Sequence, residues 1–138
     1  MLSIQLKKLV LLTIAIAITG CAQTSQFTKN QYVHVYQKDQ TCPETLNMKV
    51  GETVQVQLAD NPSTGYSWKL AQSLQHLNAT TTYNAHKTDD YLVVGLGGVR
   101  QFNFKALSTG EETIQLVYTR SWEPNIVGAA WSCKVNIE

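Results

Sequence analysis

The side chains that could act as catalysts are few and poorly arranged for it. Three histidines, His34, His76 and His86, lack the spacing of metal ligands. A Cys–His nucleophile would need Cys42 or Cys133 to stay reduced, which an exported protein in an oxidising compartment does not favour. The acidic pairs Asp89-Asp90 and Glu111-Glu112 fall in turn-like segments, where carboxylates are solvated. We therefore predict that the protein is not an enzyme and that it holds no metal or other cofactor.

A tight turn is predicted at residues 61–66, which read Asn61-Pro62-Ser63-Thr64-Gly65-Tyr66. Pro62 fixes its own φ, and Gly65 can adopt a positive φ at little steric cost. The hydroxyls of Ser63 and Thr64 can bond to nearby backbone. We expect a stiff turn that holds two hydroxyls outward, although taken alone such a turn is usually only a connection between strands.

Two further connections have unusual chemistry, Gly95-Leu96-Gly97-Gly98 and Arg120-Ser121-Trp122. The glycine-rich segment has no following Lys or helix, so it does not predict a phosphate site. An Arg beside a Trp is commonly a stacked surface pair, but these two residue types also dominate protein interfaces. With the turn at 61–66, these connections predict a protein-binding edge.

The segments around these loops alternate between apolar and polar residues, as strands do. The residues expected to share a face on each strand are Val54, Val56, Leu58; Tyr66, Trp68, Leu70; Phe102, Phe104, Ala106; Ile114, Leu116, Tyr118; and Trp131, Cys133, Val135, Ile137. Short strands at this spacing predict an all-β, immunoglobulin-like antiparallel sandwich of about seven or eight strands, with a barrel as the alternative.

The strand order predicts where the three loops lie. Successive loops are separated by two strands, so all three should emerge at one end of an up-and-down arrangement. The uncertain segment is 91–94, because a full strand there would move the middle loop to the opposite end. The prediction therefore depends on Tyr91 to Val94 remaining outside the main sheets.

The first twenty residues read as a signal peptide, with Lys7-Lys8 before an apolar run from Leu9 to Ile18 that is short for a membrane span. The sequence Ile18-Thr19-Gly20-Cys21 resembles the lipobox of bacterial lipoproteins. That resemblance implies cleavage before Cys21 and its lipidation; the alternative is an ordinary cleavage site beside an incidental cysteine. The expected organisation is a signal peptide (1–20), a lipidated cysteine with a tether (21–30) and one β-sandwich domain (31–138).

The leader also indicates to which membrane the mature protein is sorted and whether its remaining cysteines are oxidised. Ala22 stands where inner-membrane lipoproteins often carry Asp, which favours the bacterial outer membrane, facing the periplasm. Two cysteines then remain, Cys42 and Cys133, in an oxidising compartment where a leftover pair usually bonds. We predict a disulfide between them, worth roughly 4–5 kcal/mol in the chain-entropy model; two separately buried thiols are the alternative.

Composition restricts the partners. The chain has 138 residues, 43% of them hydrophobic, which suits one domain with a single core. Its net charge is +1, and beyond the leader nine Lys or Arg face ten Asp or Glu. This balance gives no basic patch for nucleic acid. We expect a monomer whose membrane contact is the lipid at Cys21.

The three loops together resemble the motifs of the chagasin-type inhibitors of papain-like cysteine peptidases, which are Asn-Pro-Thr-Thr-Gly-Tyr/Phe, Gly-x-Gly-Gly and Arg-Pro-Trp/Phe, in that order. Residues 61–66 match except for Ser63, which keeps a hydroxyl, and residues 95–98 match fully. Arg120 and Trp122 match, but Ser121 replaces the proline, which implies a less rigid third loop.

The resemblance implies an inhibitor that inserts three loops into the cleft of a papain-like cysteine protease. Residues 62–65 would lie next to the catalytic Cys–His pair, the third loop on the primed side and the glycine loop along the non-primed side. The alternative function is a non-inhibitory, lipid-anchored envelope module that binds another protein or a glycan, which needs only the leader and the fold.

Overall fold

The computed structural model describes residues 32–37, 39–88, 91–92 and 95–138. The strands are β1 (Tyr32–Gln37), β2 (Leu46–Met48), β3 (Thr53–Asp60), β4 (Tyr66–Leu70), β5 (Leu77–Ala85), β6 (Lys87–Thr88), β7 (Tyr91–Leu92), β8 (Gly98–Ala106), β9 (Gly110–Arg120) and β10 (Glu123–Ile137), with a 3₁₀ turn at Pro62–Thr64. The predicted signal peptide, Cys21 and the tether lie outside the described residues. Within those ranges, no helix is long and apolar enough to cross a membrane.

The strands form two four-stranded sheets, in the orders β1-β3-β8-β5 and β2-β10-β9-β4. This confirms the immunoglobulin-like sandwich. The sheets are mixed rather than purely antiparallel, because β1 pairs with β3 and β2 pairs with β10 in parallel. The chain crosses from the first sheet to the second at β2 and returns at β3, so β1 and β3 run in the same direction.

The core lies where the inward faces of the two sheets meet. In the first sheet, Val54 is opposite Phe104 and Val56 is opposite Phe102; all four are buried. In the second sheet, Leu116 is opposite Trp131 and Ile114 is opposite Cys133, and these are buried as well. Period-two alternation therefore places the predicted apolar faces inside, where each large side chain contributes about 1.5–3 kcal/mol.

The predicted disulfide between Cys42 and Cys133 is present, across a separation of 91 residues and with 5.3 Å between the Cα atoms. It ties the connection between β1 and β2 to the buried face of β10. Nearby, the indole Nε1 of Trp131 donates a hydrogen bond to the carbonyl of Gln40 (3.1 Å). Tyr36 packs on the same indole, with 5.8 Å between ring centroids, and burial raises the pKa of the Tyr36 hydroxyl.

The sandwich has two ends, which its strand registers define. At one end, which we call the loop pole, Asp60 pairs with Gly98 and Tyr66 pairs with Arg120. At the opposite end, Tyr32 of β1 pairs with Thr53 of β3. The described chain therefore begins at the end away from the loops.

The short strand β7 pairs with β6 in a separate two-stranded sheet rather than with either main sheet. Two strands of the main sheets, β4 and β5, therefore separate the first loop from the second. As argued from the sequence, residues 91–94 must stay outside the main sheets if the glycine-rich loop is to lie at the loop pole. Tyr91 and Leu92 meet this requirement, while Val93 and Val94 lie outside the described residues.

Candidate functional site

The first loop, residues 61–66, is called the wedge turn here. Its 3₁₀ turn is closed by hydrogen bonds from the Thr64 N–H to the Asn61 carbonyl (3.0 Å) and from the Gly65 N–H to the Pro62 carbonyl (2.9 Å). Gly65 has a φ of 82°, in the left-handed region that favours glycine. The expected stiff turn is thus built from its own backbone.

The two hydroxyls of the wedge turn bond back into the turn instead of pointing free to solvent. The Thr64 hydroxyl donates to the Asn61 carbonyl (2.7 Å) and accepts from the Tyr66 N–H (3.3 Å). The Ser63 hydroxyl donates to the side-chain carbonyl of Asn61. Both residues are exposed, but their hydroxyls stabilise the turn, which differs from the outward hydroxyls expected from the sequence.

The second loop, residues 95–98, is called the glycine loop. The Asn61 side-chain amide donates to the Gly95 carbonyl (3.0 Å), which joins this loop to the wedge turn. The His86 N–H donates to the Gly97 carbonyl (2.9 Å), so the end of β5 holds the loop from the other side. The glycine loop is therefore fixed between two neighbours rather than projecting alone.

The three glycines of this loop differ in whether the surrounding protein leaves room for a side chain. A Cβ on Gly97 would lie 2.9 Å from the Asp60 carbonyl, and one on Gly98 would lie 2.2 Å from the Asn84 carbonyl. A Cβ on Gly95 would meet nothing within 4 Å. Gly98 is buried and begins β8. Close backbone packing inside the protein thus explains Gly97 and Gly98, whereas Gly95 and the exposed Leu96 are open to a partner.

The third loop, residues 120–122, is called the hairpin tip because Arg120 pairs with Glu123 across β9 and β10. The Trp122 indole is 67% exposed and lies over Gly65, where an added Cβ would come within 2.2 Å of its Cη2. The Arg120 guanidinium lies 4.5 Å from the Tyr66 ring centroid and 6.0 Å from that of Trp122. A cation between two rings therefore joins the hairpin tip to the wedge turn.

An aromatic series connects this contact to the core. Tyr66 stacks on Tyr118 with 5.2 Å between centroids, and Tyr118 contacts the buried Trp68, also at 5.2 Å. The Trp68 indole donates to the Ala59 carbonyl (2.9 Å), and the Asn61 N–H donates to the Tyr118 hydroxyl (3.3 Å). The wedge turn thus rests on a rigid aromatic support that ends in the core.

Ser121 stands where the related motif has proline, and its hydroxyl has a partner. The Lys69 ammonium on β4 donates to the Ser121 hydroxyl (3.0 Å), and the Arg120 guanidinium donates to the Glu123 carboxylate (3.2 Å). These contacts, one exposed and one half-buried, restrain the hairpin tip without proline, though a surface contact is worth under about 1 kcal/mol. Lys69 and Glu123 were not among the residues predicted from the sequence.

A buried ion pair lies beneath the loops, and the sequence analysis missed it as well. The Asp60 side chain is fully buried, and its carboxylate accepts from Nε of Arg100 and from the Ser67 hydroxyl (3.1 Å). Beside it, a cleft of about 450 Å³ opens between the sheets, with Trp68, Leu96 and Tyr118 among its lining residues. Among the described residues, no group of three His, Cys, Asp or Glu is placed to hold a metal ion.

All the predicted binding residues therefore lie at the loop pole, and direct contacts link the wedge turn to both other loops. The arrangement presents a stiff 3₁₀ turn with an exposed indole on one side and an open glycine backbone on the other. Within the part of the chain that the structure describes, these features form a projecting, preformed edge suited to a concave partner.

Comparisons with known proteins agree with that geometry. The sequence model described as Chagasin family peptidase inhibitor I42 matches residues 47–137. Amoebiasin-1 from Entamoeba histolytica is 35% identical over 94 residues, which cover 68% of this chain and 90% of that protein. Chagasin from Trypanosoma cruzi is 31% identical over 81 residues, covering 56% of this chain and 74% of that protein.

A solved structure supports the same relationship. The crystal structure of EhICP2, a cysteine protease inhibitor from Entamoeba histolytica, superposes with a TM-score of 0.62 and 25% sequence identity. The superposition covers 76% of this chain and 94% of that inhibitor. The similarity therefore extends over nearly the whole length of the solved protein.

Proposed function

Because this chain belongs to the chagasin family of peptidase inhibitors, we propose that it inhibits papain-like cysteine peptidases by inserting the wedge turn into the active-site cleft. The glycine loop and the hairpin tip would grip the cleft on either side. The observation that carries the proposal is the contact of the Trp122 indole with Gly65, which places two of the three loops side by side at one edge. The family consists of inhibitors, which favours this function over a non-inhibitory module and agrees with a protein that is not an enzyme.

The wedge turn has the features of an uncleaved ligand. A protease attacks a scissile carbonyl that is held in an extended, aligned substrate. Here the Asn61 and Pro62 carbonyls are both hydrogen-bonded within a 3₁₀ turn, and Pro62 and Gly65 hold its conformation. The turn can therefore fill a cleft while its Asn61 and Pro62 carbonyls stay out of the extended geometry that cleavage requires.

Preformed loops also favour tight binding. Ordering flexible side chains and loops costs about 0.5–1.5 kcal/mol per immobilised side chain on association. The contacts of Asn61 with Gly95 and of Arg120 with Tyr66 already order this edge in the free protein. Less free energy is then lost on docking from an interface of standard size, roughly 1,600 Å².

The test is a double substitution at the loop pole, Thr64→Arg with Trp122→Ala. It adds a long charged side chain to the wedge turn and removes the exposed indole, so we expect inhibition of papain to be abolished. The inhibition constant is the measurement, and circular dichroism checks that the fold is retained.

A control makes comparable changes at the opposite end of the molecule. Thr109→Arg with Leu107→Ala also alters an exposed threonine and an exposed large apolar side chain. We expect this variant to inhibit papain as the unmodified protein does. Full inhibition by the loop-pole variant would contradict the assignment of the site.

We also propose that the mature protein is a lipoprotein of the bacterial outer membrane that faces the periplasm. The support is in the sequence alone, in the basic and apolar leader and the segment Ile18-Thr19-Gly20-Cys21. Expression with the leader in a bacterium with two membranes should give a chain that begins at an acylated Cys21, measured by mass spectrometry. Cys21→Ser should abolish acylation, and an unmodified Cys21 in the mature protein would contradict the proposal.

A further inference from the structure

We propose that Asp60 and Arg100 are positioning residues that fix the wedge turn relative to the glycine loop, and so set the strength of inhibition without touching the protease. The inference rests on the proposed inhibitory function. Each residue adjoins a loop: Asp60 directly precedes the wedge turn, and Arg100 lies two residues after the glycine loop ends at Gly98.

One carboxylate joins three strand ends at this point. Asp60 ends β3, and it accepts hydrogen bonds from Arg100 near the start of β8 and from Ser67 near the start of β4. These strands lead into and out of the wedge turn and out of the glycine loop. The Asp60 carbonyl also lies under Gly97, where an added Cβ would approach to 2.9 Å. The pair therefore couples the two loops through both side chain and backbone.

A role in stability alone does not account for this pair well. Burying an ion pair costs desolvation free energy, and well-packed apolar residues in its place are often neutral or stabilising. Only one oxygen of the buried Asp60 carboxylate has a hydrogen-bond partner among the described residues. Unlike apolar residues, the pair fixes how Asp60 and Arg100 are oriented relative to each other, because charge-assisted hydrogen bonds are directional.

Arg100 is itself held in place. Its guanidinium lies 5.2 Å from the ring centroid of Tyr83 on the neighbouring strand β5. The end of β5 also holds the glycine loop through the bond from the His86 N–H to the Gly97 carbonyl. The arginine thus connects the support of the glycine loop to Asp60, the residue that directly precedes the wedge turn.

The experiment compares Arg100→Met with Glu112→Ala. Arg100→Met keeps an unbranched apolar stem and removes the guanidinium. Glu112 is a matched control, because its carboxylate also accepts two hydrogen bonds, from the backbone N–H groups of Gln75 and His76 (2.6 and 2.9 Å), but far from the loop pole. We expect both variants to melt at lower temperature, because each loses buried or half-buried hydrogen bonds.

Inhibition and amide exchange should separate the two variants. Arg100→Met should raise the inhibition constant for papain by at least about tenfold, because the loops are no longer preorganised, whereas Glu112→Ala should change it less than about twofold. Amide hydrogen exchange should accelerate in Arg100→Met only, at Thr64, whose N–H closes the wedge turn, and at His86, whose N–H holds the glycine loop through the Gly97 carbonyl.

Each outcome decides between the alternatives. Equal inhibition by Arg100→Met and the unmodified protein, or equal weakening by Glu112→Ala at a matched melting temperature, would overturn the positioning role. If the unmodified protein does not inhibit papain, the proposed function fails, while the exchange data still test the coupling of the loops. If Arg100→Met does not fold, Asp60→Asn keeps the shape of the side chain and an acceptor for Ser67, and the same measurements apply to it.

Discussion

Replacing Gly65 with alanine tests the contact that joins the wedge turn to the hairpin tip. The substitution adds one methyl group at a position where φ is 82° and where the new Cβ would lie 2.2 Å from Cη2 of Trp122. A carbon cannot approach that closely, so the indole must move. The tip of an exposed side chain can move easily, and we expect the turn to remain while Trp122 swings away.

The magnitudes follow from these two effects. Holding an alanine in the left-handed region costs about 1–2 kcal/mol, which corresponds to roughly 5–10 °C in the melting temperature of a domain of this size. Displacing an aromatic anchor of an interface costs about 2 kcal/mol or more in binding, or about thirtyfold in the inhibition constant. Gly65→Ala should therefore weaken inhibition far more than its loss of stability alone explains.

The assay measures inhibition of papain and the melting temperature for Gly65→Ala and Gly51→Ala. Gly51 also has a positive φ, 91°, but lies at the end of the sandwich away from the loops, so its variant should lose stability and keep inhibition. In a Trp122→Ala background the indole is absent, and Gly65→Ala should then add little to the loss of inhibition. A thirtyfold effect of Gly65→Ala that persists in that background would refute the reasoning, because nothing would remain for the methyl group to displace.

Two further predictions concern contacts around the site and the core. Reduction of the disulfide between Cys42 and Cys133 should lower the free energy of unfolding by about 4–5 kcal/mol, measured by denaturant titration. Inhibition should stay unchanged, because the bridge ties β10 to the β1–β2 connection and not to the loops. A loss of unfolding free energy below about 1 kcal/mol would contradict this prediction. Lys69→Met should weaken inhibition by about two- to threefold, because it removes the exposed bond to the Ser121 hydroxyl. The same change should have no effect in a Ser121→Pro background, and an equal loss in both backgrounds would show that Lys69 acts otherwise.

Much of the fold could be predicted from alternation alone. The faces of β3, β8 and β10 follow directly from period two, because Val54, Phe104 and Val135 and their neighbours at i±2 within these strands are all buried. The parallel pairing of β1 with β3 and of β2 with β10 could not be predicted in this way. It depends on which sheet each short strand joins, and alternation carries no information about that choice.

The site shows the same division between local and non-local information. The turn at Pro62–Gly65 follows from the conformational preferences of proline and glycine, but the partners of the Ser63 and Thr64 hydroxyls depend on the exact turn geometry. Asp60 and Arg100 could have been found from the sequence. Each continues an inward-facing series, after Leu58 and before Phe102 respectively, and opposite charges at inward positions beside two predicted loops indicate an internal pair.

The direction of β1 decides how the inhibitor would stand on a surface. Because Tyr32 pairs with Thr53 at the start of β3 and the wedge turn follows the end of that eight-residue strand, about 26 Å of sandwich separates the two. Residue 32, to which any upstream attachment is joined, thus lies at the end of the sandwich opposite the inhibitory edge. An immobilised form made by linkage at the amino terminus should capture proteases as readily as the free protein does.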